Sequence, residues 1–113
     1  MMEIGSVSGR EVARRLRTIA RLYQRGQASS LMDSTLQKLL SYEAQESEAQ
    51  LAQLTADLRE FEQKYQMSSD DFYRRFSAGE TDDRMDYVEW ASLAQMAHDI
   101  GARLAVLRPG SKR

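Results

Sequence analysis

At 113 residues, with 0 Cys, 1 Pro, 6 Gly and a net charge of −1, the chain has the length of one ordinary domain, and its composition excludes disulfides and thiolate metal sites. No apolar run approaches the ~20 residues of a membrane span and Met1 to Arg10 holds no apolar signal core, so the expected location is the cytoplasm. Charge is unevenly spread, at +4 over residues 1–31, −5 over 32–63, −3 over 64–90 and +3 over 91–113, an asymmetry that bears on partners rather than on fold.

In chain order, Ser8 followed by Glu11 has the spacing of a capping box. Val12, Leu16, Ile19, Ala20 and Tyr23 then share one face at helical spacing. Gly26 supplies the stop, because glycine takes the left-handed conformation after a helix without steric cost. These signals predict a first helix over about 9–25. Ser30 with Asp33, or Asp33 itself, caps the next helix, and no Gly or Pro interrupts the chain from there until beyond residue 78. Leu51, Leu54, Leu58, Phe61 and Tyr65 step by threes and fours, and Leu40, Ala44 and Ser47 extend the frame backwards. The pattern is a coiled-coil-like seam, weakest at Ala44–Ser47. A helix over 32–65 is roughly 50 Å long at 1.5 Å per residue, more than the ~35 Å diameter of a globule of this size.

Ser68 and Asp71 open a short third helix over about 69–78, which carries Phe72, Tyr73 and Phe76 and ends at Gly79. Thr81 or Asp82 caps a final helix over about 83–107, where Trp90, Leu93, Ala97, Ile100, Leu104 and Leu107 form a second seam. Strand-like alternation and internal repeats are absent from the sequence. The expected fold is all-α: an elongated antiparallel helical hairpin with one long coiled-coil-like helix, a short connecting helix and an additional N-terminal basic helix. Its divisions are a basic helix and linker over 1–31, a hairpin interaction domain over 32–107 and a tail over 108–113. Residues 51–65 then face 90–107, and half of the long seam is left uncovered. Burying a Leu or Phe contributes about 1.5–3 kcal/mol, so a homodimer is expected through Leu40, Leu51, Leu54, Leu58 and Phe61.

Catalytic chemistry finds little support. His98 stands alone, with no nucleophile and no phosphate-binding loop beside it, and a general base needs a reacting partner and an orienting group. Asp82, Asp83 and Asp86 have the DDxxD spacing of some magnesium sites, but a second acidic motif is missing; carboxylates at a helix N-terminus are the simpler reading. A magnesium-dependent hydrolase at Asp82–Glu89 is thus the third-ranked possibility. The chain is expected not to be an enzyme, with no catalytic residue, cofactor or metal. Arg10, Arg14, Arg17, Arg21 and Arg25 lie along one helical face with only Glu11 interleaved. They are either a solvated face or contacts for an acidic partner, nucleic acid included. Phe72, Tyr73, Phe76, Tyr87 and Trp90 gather five aromatics into 19 residues. They read either as a local core or as binding anchors, since Tyr, Trp and Arg dominate such sites.

The run from Glu62 to Phe76, continued by Ala78-Gly79-Glu80, Asp82-Asp83, Met85-Asp86-Tyr87 and Glu89-Trp90, resembles a family of small helical prokaryotic proteins. These are antitoxins of type II toxin–antitoxin pairs, in particular the TumA-like partners of TumE-family toxins. The resemblance covers about 32–107 and is strongest over 60–92. Gln66 stands where the family pattern has Gly, which would let the helix run on past Tyr65. The resemblance implies a non-enzymatic protein that binds and neutralises a small basic toxin and takes part in repressing its own operon. On that reading the partner-binding residues are Phe72, Tyr73, Arg75, Phe76, Asp83, Asp86, Tyr87 and Trp90. The alternative is a nucleic-acid-associated coiled-coil protein that uses the N-terminal Arg stripe. A membrane partner is not expected.

Overall fold

The computed structural model describes residues 8–109; the first seven residues of the basic N-terminal segment and the last four of the tail lie outside the described residues. The described residues form four helices: α1 (Gly9–Gln24), α2 (Ser30–Tyr65), α3 (Ser69–Ser77) and α4 (Met85–Leu107). Strand is absent among the described residues. The chain divides into two compact units, Met1–Leu39 and Leu40–Arg113. The division falls inside α2, and so does the expected boundary at 31/32.

The first unit is built by its caps. The Ser8 hydroxyl accepts the Glu11 backbone N–H at 3.0 Å, as the capping-box spacing requires. After α1, Gly26 adopts φ +70°. The Gln27 N–H then reaches back to the Leu22 carbonyl at 2.8 Å and the Gly26 N–H to Tyr23 at 3.1 Å, which satisfies carbonyls left over at the helix end. The second cap corrects the sequence expectation. Ser29, rather than Ser30 or Asp33, accepts the Met32 N–H, at 3.1 Å, so α2 starts two residues early. Several Ser and Asp residues offered themselves here, and the turn geometry set by Gly26 selects among them.

The second unit is built around Trp90. Its ring is fully enclosed, and Phe72, 1% exposed, lies flat on it with centroids 3.9 Å apart. Phe61 and Tyr65 from α2 stack on Trp90 at 5.6 and 5.7 Å. Leu58, Met67, Tyr73, Phe76 and Tyr87 complete the cluster. Rings of this size carry much of a small core, since each buries 150–250 Å².

Contacts between α2 and α4 in this unit run in opposite sequence order. Lys64 and Tyr65 meet Asp86, and Phe61 meets Trp90. Further along, Ser47 and Glu43 meet Arg103, and Glu48 meets Arg108. Ala44 and Ser47, the weak stretch of the expected seam, are among the most buried residues of the chain. Small side chains there leave room for the Arg103 stem, and its Nη1 donates to the Ser47 hydroxyl at 2.7 Å. Part of the expected dimer seam is therefore used within the unit. Leu54 is buried within the unit, and Leu58 and Phe61 pack on the Trp90 cluster. Leu51 is half-buried and Leu40 remains half-exposed.

Two further junctions remain. Helix α2 ends at Tyr65, as the expected 32–65 helix does, although Gln66 stands where the family pattern has Gly: Gln66 takes the left-handed conformation at φ +53°, and the Met67 N–H returns to the Glu62 carbonyl. The Gln66 amide donates to the Gln63 carbonyl at 2.7 Å, a local bond that offsets part of the strain. Helix α4 begins at Met85 rather than 83, with Arg84 at its cap and no side-chain capping bond. Asp82 is not the cap. Its carboxylate accepts the Arg84 backbone N–H and so closes the turn that precedes the helix.

Candidate functional site

The densest constellation of sequence-predicted residues lies where α3, the turn after it and the start of α4 meet the end of α2, inside the second unit. Helix α3 is fixed at its start by the Ser68 hydroxyl, which accepts the Asp71 N–H at 3.1 Å. It ends at Gly79, φ +76°, where the Glu80 N–H returns to the Arg75 carbonyl. This short, doubly closed helix presents Phe72 to Trp90 and leaves Arg75 exposed.

Burial separates the predicted partner-binding residues into two groups. Phe72 and Trp90 are enclosed, so they are the local core and offer a partner no surface; this corrects their reading as anchors. The indole N–H of Trp90 donates to the buried Ser69 hydroxyl at 2.9 Å, and the Ser69 backbone N–H donates to Glu62 at 2.9 Å. Tyr73, Phe76 and Tyr87 are half-buried, with their edges at the surface, while Arg75 and Asp83 are exposed. Asp86 is not a free surface charge either. It accepts from Lys64 Nζ at 2.7 Å and from the Tyr65 hydroxyl at 2.6 Å, and these two donors hold its pKa below the usual carboxylate range. A charge reversal at Asp86 would break that tie, so Asp83 is the cleaner surface probe.

Arg84 is clamped on two sides. Its guanidinium meets the Asp82 carboxylate in a fork, with both N–H to oxygen distances 3.0 Å, and sits 4.5 Å from the centre of the Tyr87 ring. The hydrogen bonds from Arg84 hold Asp82 below the ordinary carboxylate range. An open cavity of about 340 Å³ adjoins these residues, lined by Arg75, Glu80, Thr81, Asp82, Arg84 and Tyr87 among others. Glu80, which lines it, and Asp83 and Glu89, near it in sequence, are exposed and make no ion pair among the described residues. Metal chemistry at Asp82, Asp83 and Asp86 finds no support in this arrangement. Asp82 and Asp86 are turned to Arg84 and Lys64, and no group of three His, Cys, Asp or Glu side chains is gathered to hold a metal among the described residues. His98 is exposed on α4.

The Arg stripe lies on α1, which places Arg10, Arg14, Arg17 and Arg21 in solvent, with Arg25 just past its end. None of the five makes an ion pair among the described residues. Sequence reasoning missed Glu62, Ser69, Ser47 and Arg103. Glu62 acts through Ser69, seven positions on, and Ser69, Ser47 and Arg103 act through partners 21 to 60 positions away. The small polar residues Ser47 and Ser69 on otherwise apolar faces were the available signal.

No helix among the described residues is long and apolar enough to cross a membrane. Compared with family models, curated proteins and solved structures, the chain matches none.

Proposed function

We propose that this chain is a non-enzymatic, antitoxin-like protein whose second unit, an antiparallel hairpin closed by α3, binds and neutralises a small basic partner protein in the cytoplasm. The observation that carries the reading is the set of uncompensated carboxylates on a rigid aromatic base. Residues 40–109 hold 14 acidic against 7 basic side chains, a balance of −7. Among the described residues, Glu80, Asp83 and Glu89 have no ion-pair partner to lose when a basic surface arrives. Half-buried Tyr73, Phe76 and Tyr87 supply the apolar contacts between these charges, the apolar centre and polar rim of an ordinary interface. The sequence resemblance to antitoxins of the TumA-like kind points the same way, and it adds repression of the protein's own operon as part of the proposal.

The test is to look for a reading frame for a small basic protein beside this gene, and to measure co-purification with its product and rescue of growth when that product is expressed. Asp83→Lys combined with Glu80→Lys should lower affinity by about tenfold or more. The far-ultraviolet spectrum and the melting temperature should not change. Undiminished binding and rescue by the double variant would refute the site.

A second reading rests on the Arg stripe, whose side chains are exposed and make no ion pair among the described residues. It assigns α1 to phosphate contacts on nucleic acid. Retention on DNA would then weaken with salt, with a slope that falls by about 0.9 for each arginine contact removed. Absence of retention at low salt would end it.

A further inference from the structure

The pairing of α2 with α4 leaves an apolar groove on the second unit. Leu54, Met96 and Ile100 are its apolar lining and Gln50, Gln53 and Asp99 its polar edge, around a volume of about 460 Å³. It shares no lining residue with the cavity beside Arg84. Leu54 is buried, whereas Met96 is 48% exposed, an unbranched and adaptable side chain left half in water. The lining runs from Gln50 to Leu54 on α2 and from Met96 to Ile100 on α4, about 6 Å of each helix at 1.5 Å per residue. A third helix suits a groove between two others, because its apolar face enters while its polar face stays in water. Two apolar residues one turn apart, about 5.4 Å, match the length of this one.

Charge states which kind of helix. Each wall carries a carboxylate held by a neutral donor. On α2 the Gln53 amide donates to Asp57 at 3.1 Å, and on α4 the Gln95 amide donates to Asp99 at 3.0 Å. These amides position the two carboxylates without cancelling their charge, and neither Asp57 nor Asp99 makes an ion pair among the described residues. No Lys or Arg lines the groove. Arg103, a turn beyond Asp99, is taken by Glu43 and Ser47. Arg59 lies about 140° round α2 from Leu54. An acidic helix would therefore meet like charge on both walls, and a basic one would find a counter-ion on each.

A second copy's first unit is also basic: residues 8–39 hold 7 basic against 2 acidic side chains, a balance of +5. On α1, however, the five-arginine stripe is centred about 170° from Val12, Leu16, Ile19 and Tyr23. With those apolar residues in the groove, the stripe would point away from Asp57 and Asp99, and Arg15 alone would border the contact. A helix with cations on both flanks fits better.

We propose that this groove holds an amphipathic helix of the basic partner protein, with two apolar residues one turn apart on Leu54, Met96 and Ile100 and a Lys or Arg on each flank reaching Asp57 and Asp99. The inference rests on the reading of the second unit as the binder of a basic protein, and adds to it a contact separate from Glu80 and Asp83.

The experiment titrates the full chain into two labelled helical peptides, followed by fluorescence anisotropy at physiological ionic strength, where the Debye length is about 8 Å. One peptide has Leu on one face and Lys elsewhere; the other has Glu in place of every Lys. The Leu/Lys peptide should bind about tenfold or more tighter than the Leu/Glu peptide. Met96→Lys should weaken it by about tenfold or more, with the emission of the one tryptophan, Trp90, unchanged. Asp57→Asn with Asp99→Asn should flatten its salt dependence. Glu80→Lys with Asp83→Lys should leave it within about twofold. Equal affinity for the two peptides, or no effect of Met96→Lys, would overturn the proposal. So would a dimer of the full chain in sedimentation that Met96→Lys dissociates, which would give the groove to a second copy. The two readings fail separately. A basic protein whose co-purification is lost with Glu80→Lys and Asp83→Lys but not with Met96→Lys strikes the groove and supports neutralisation. Peptide binding that Met96→Lys abolishes, with no basic protein co-purifying, strikes neutralisation and supports the groove as a site for a basic helix.

Discussion

The two units of this chain are made of the same secondary structure and stabilised by different means. Residues 40–109 hold an enclosed Trp90 and Phe72, two buried serines, Ser47 and Ser69, and ion pairs between residues up to 60 positions apart. Residues 8–39 have defined caps and a strongly two-faced helix, yet no buried side chain. Capping and periodicity are local properties and suffice to specify a helix. They do not specify a core, which needs apolar residues that meet across the chain or across copies. The contrast also sorts charge: +5 where the core is missing and −7 where it is present.

The largest expected effect separates the units by stability. Trp90→Ala removes a fully enclosed ring and orphans the Ser69 hydroxyl, so it should cost about 3–5 kcal/mol in a denaturant melt followed by circular dichroism. Arg17→Ala, on the exposed stripe, should stay within about 0.5 kcal/mol. Equal losses would erase the distinction between a cored unit and an uncored one.

How much of this was legible in the sequence follows the same division. The helices read over about 9–25, 32–65, 69–78 and 83–107 match the observed ones to within two residues at each end, because Ser8, Gly26, Ser68 and Gly79 act within a few residues of themselves. The aromatic cluster was visible as a cluster. Whether Phe72 and Trp90 were anchors or core was not, because Phe61 and Tyr65 from α2 decide it by stacking on Trp90. The tight fit at Ala44 and Ser47 was hidden for a similar reason. Residues that look weak as a coiled-coil seam are buried once Arg103 arrives from 56 positions away. Asp86 read as a surface charge because nothing local announces Lys64 and Tyr65 as its donors.

A smaller effect tests whether that long-range tie contributes to stability. Hydrogen bonds from Lys64 and then Tyr65 depress the Asp86 pKa in the folded protein. The stabilisation is present above the unfolded carboxylate value, about 3.9, and is lost as pH falls through the folded value. Melting temperature should therefore drop on acidification below about pH 4, and Asp86→Asn should drop less over the same range, from a lower start. Parallel acid limbs for the two proteins would show that the tie is cosmetic.

The smallest effect compares one turn used in both units. After α1 the left-handed position is Gly26, at φ +70°; after α2 it is Gln66, at φ +53°. A residue with a Cβ carries a cost of roughly 1–2 kcal/mol in that conformation. Gln66 recovers part of it through its side-chain bond to the Gln63 carbonyl, worth about 0.5 kcal/mol at an exposed site. Gln66→Gly removes the strain, loses that bond and adds freedom to the unfolded chain, so a net gain of about 0.5 kcal/mol is expected. The reciprocal change, Gly26→Gln, meets open space but the same unfavourable backbone, and should cost about 1 kcal/mol of α1 stability. Chemical denaturation of the first variant and helix content near α1 in the second measure the two. The packing of Tyr65 and Met67 on the Trp90 cluster holds Gln66 in place from both sides. The first unit has no comparable packing to impose such a conformation, so its turn depends on glycine. If Gln66→Gly destabilises the protein, the left-handed turn is not strained at that position, and the core of the second unit is not what holds it.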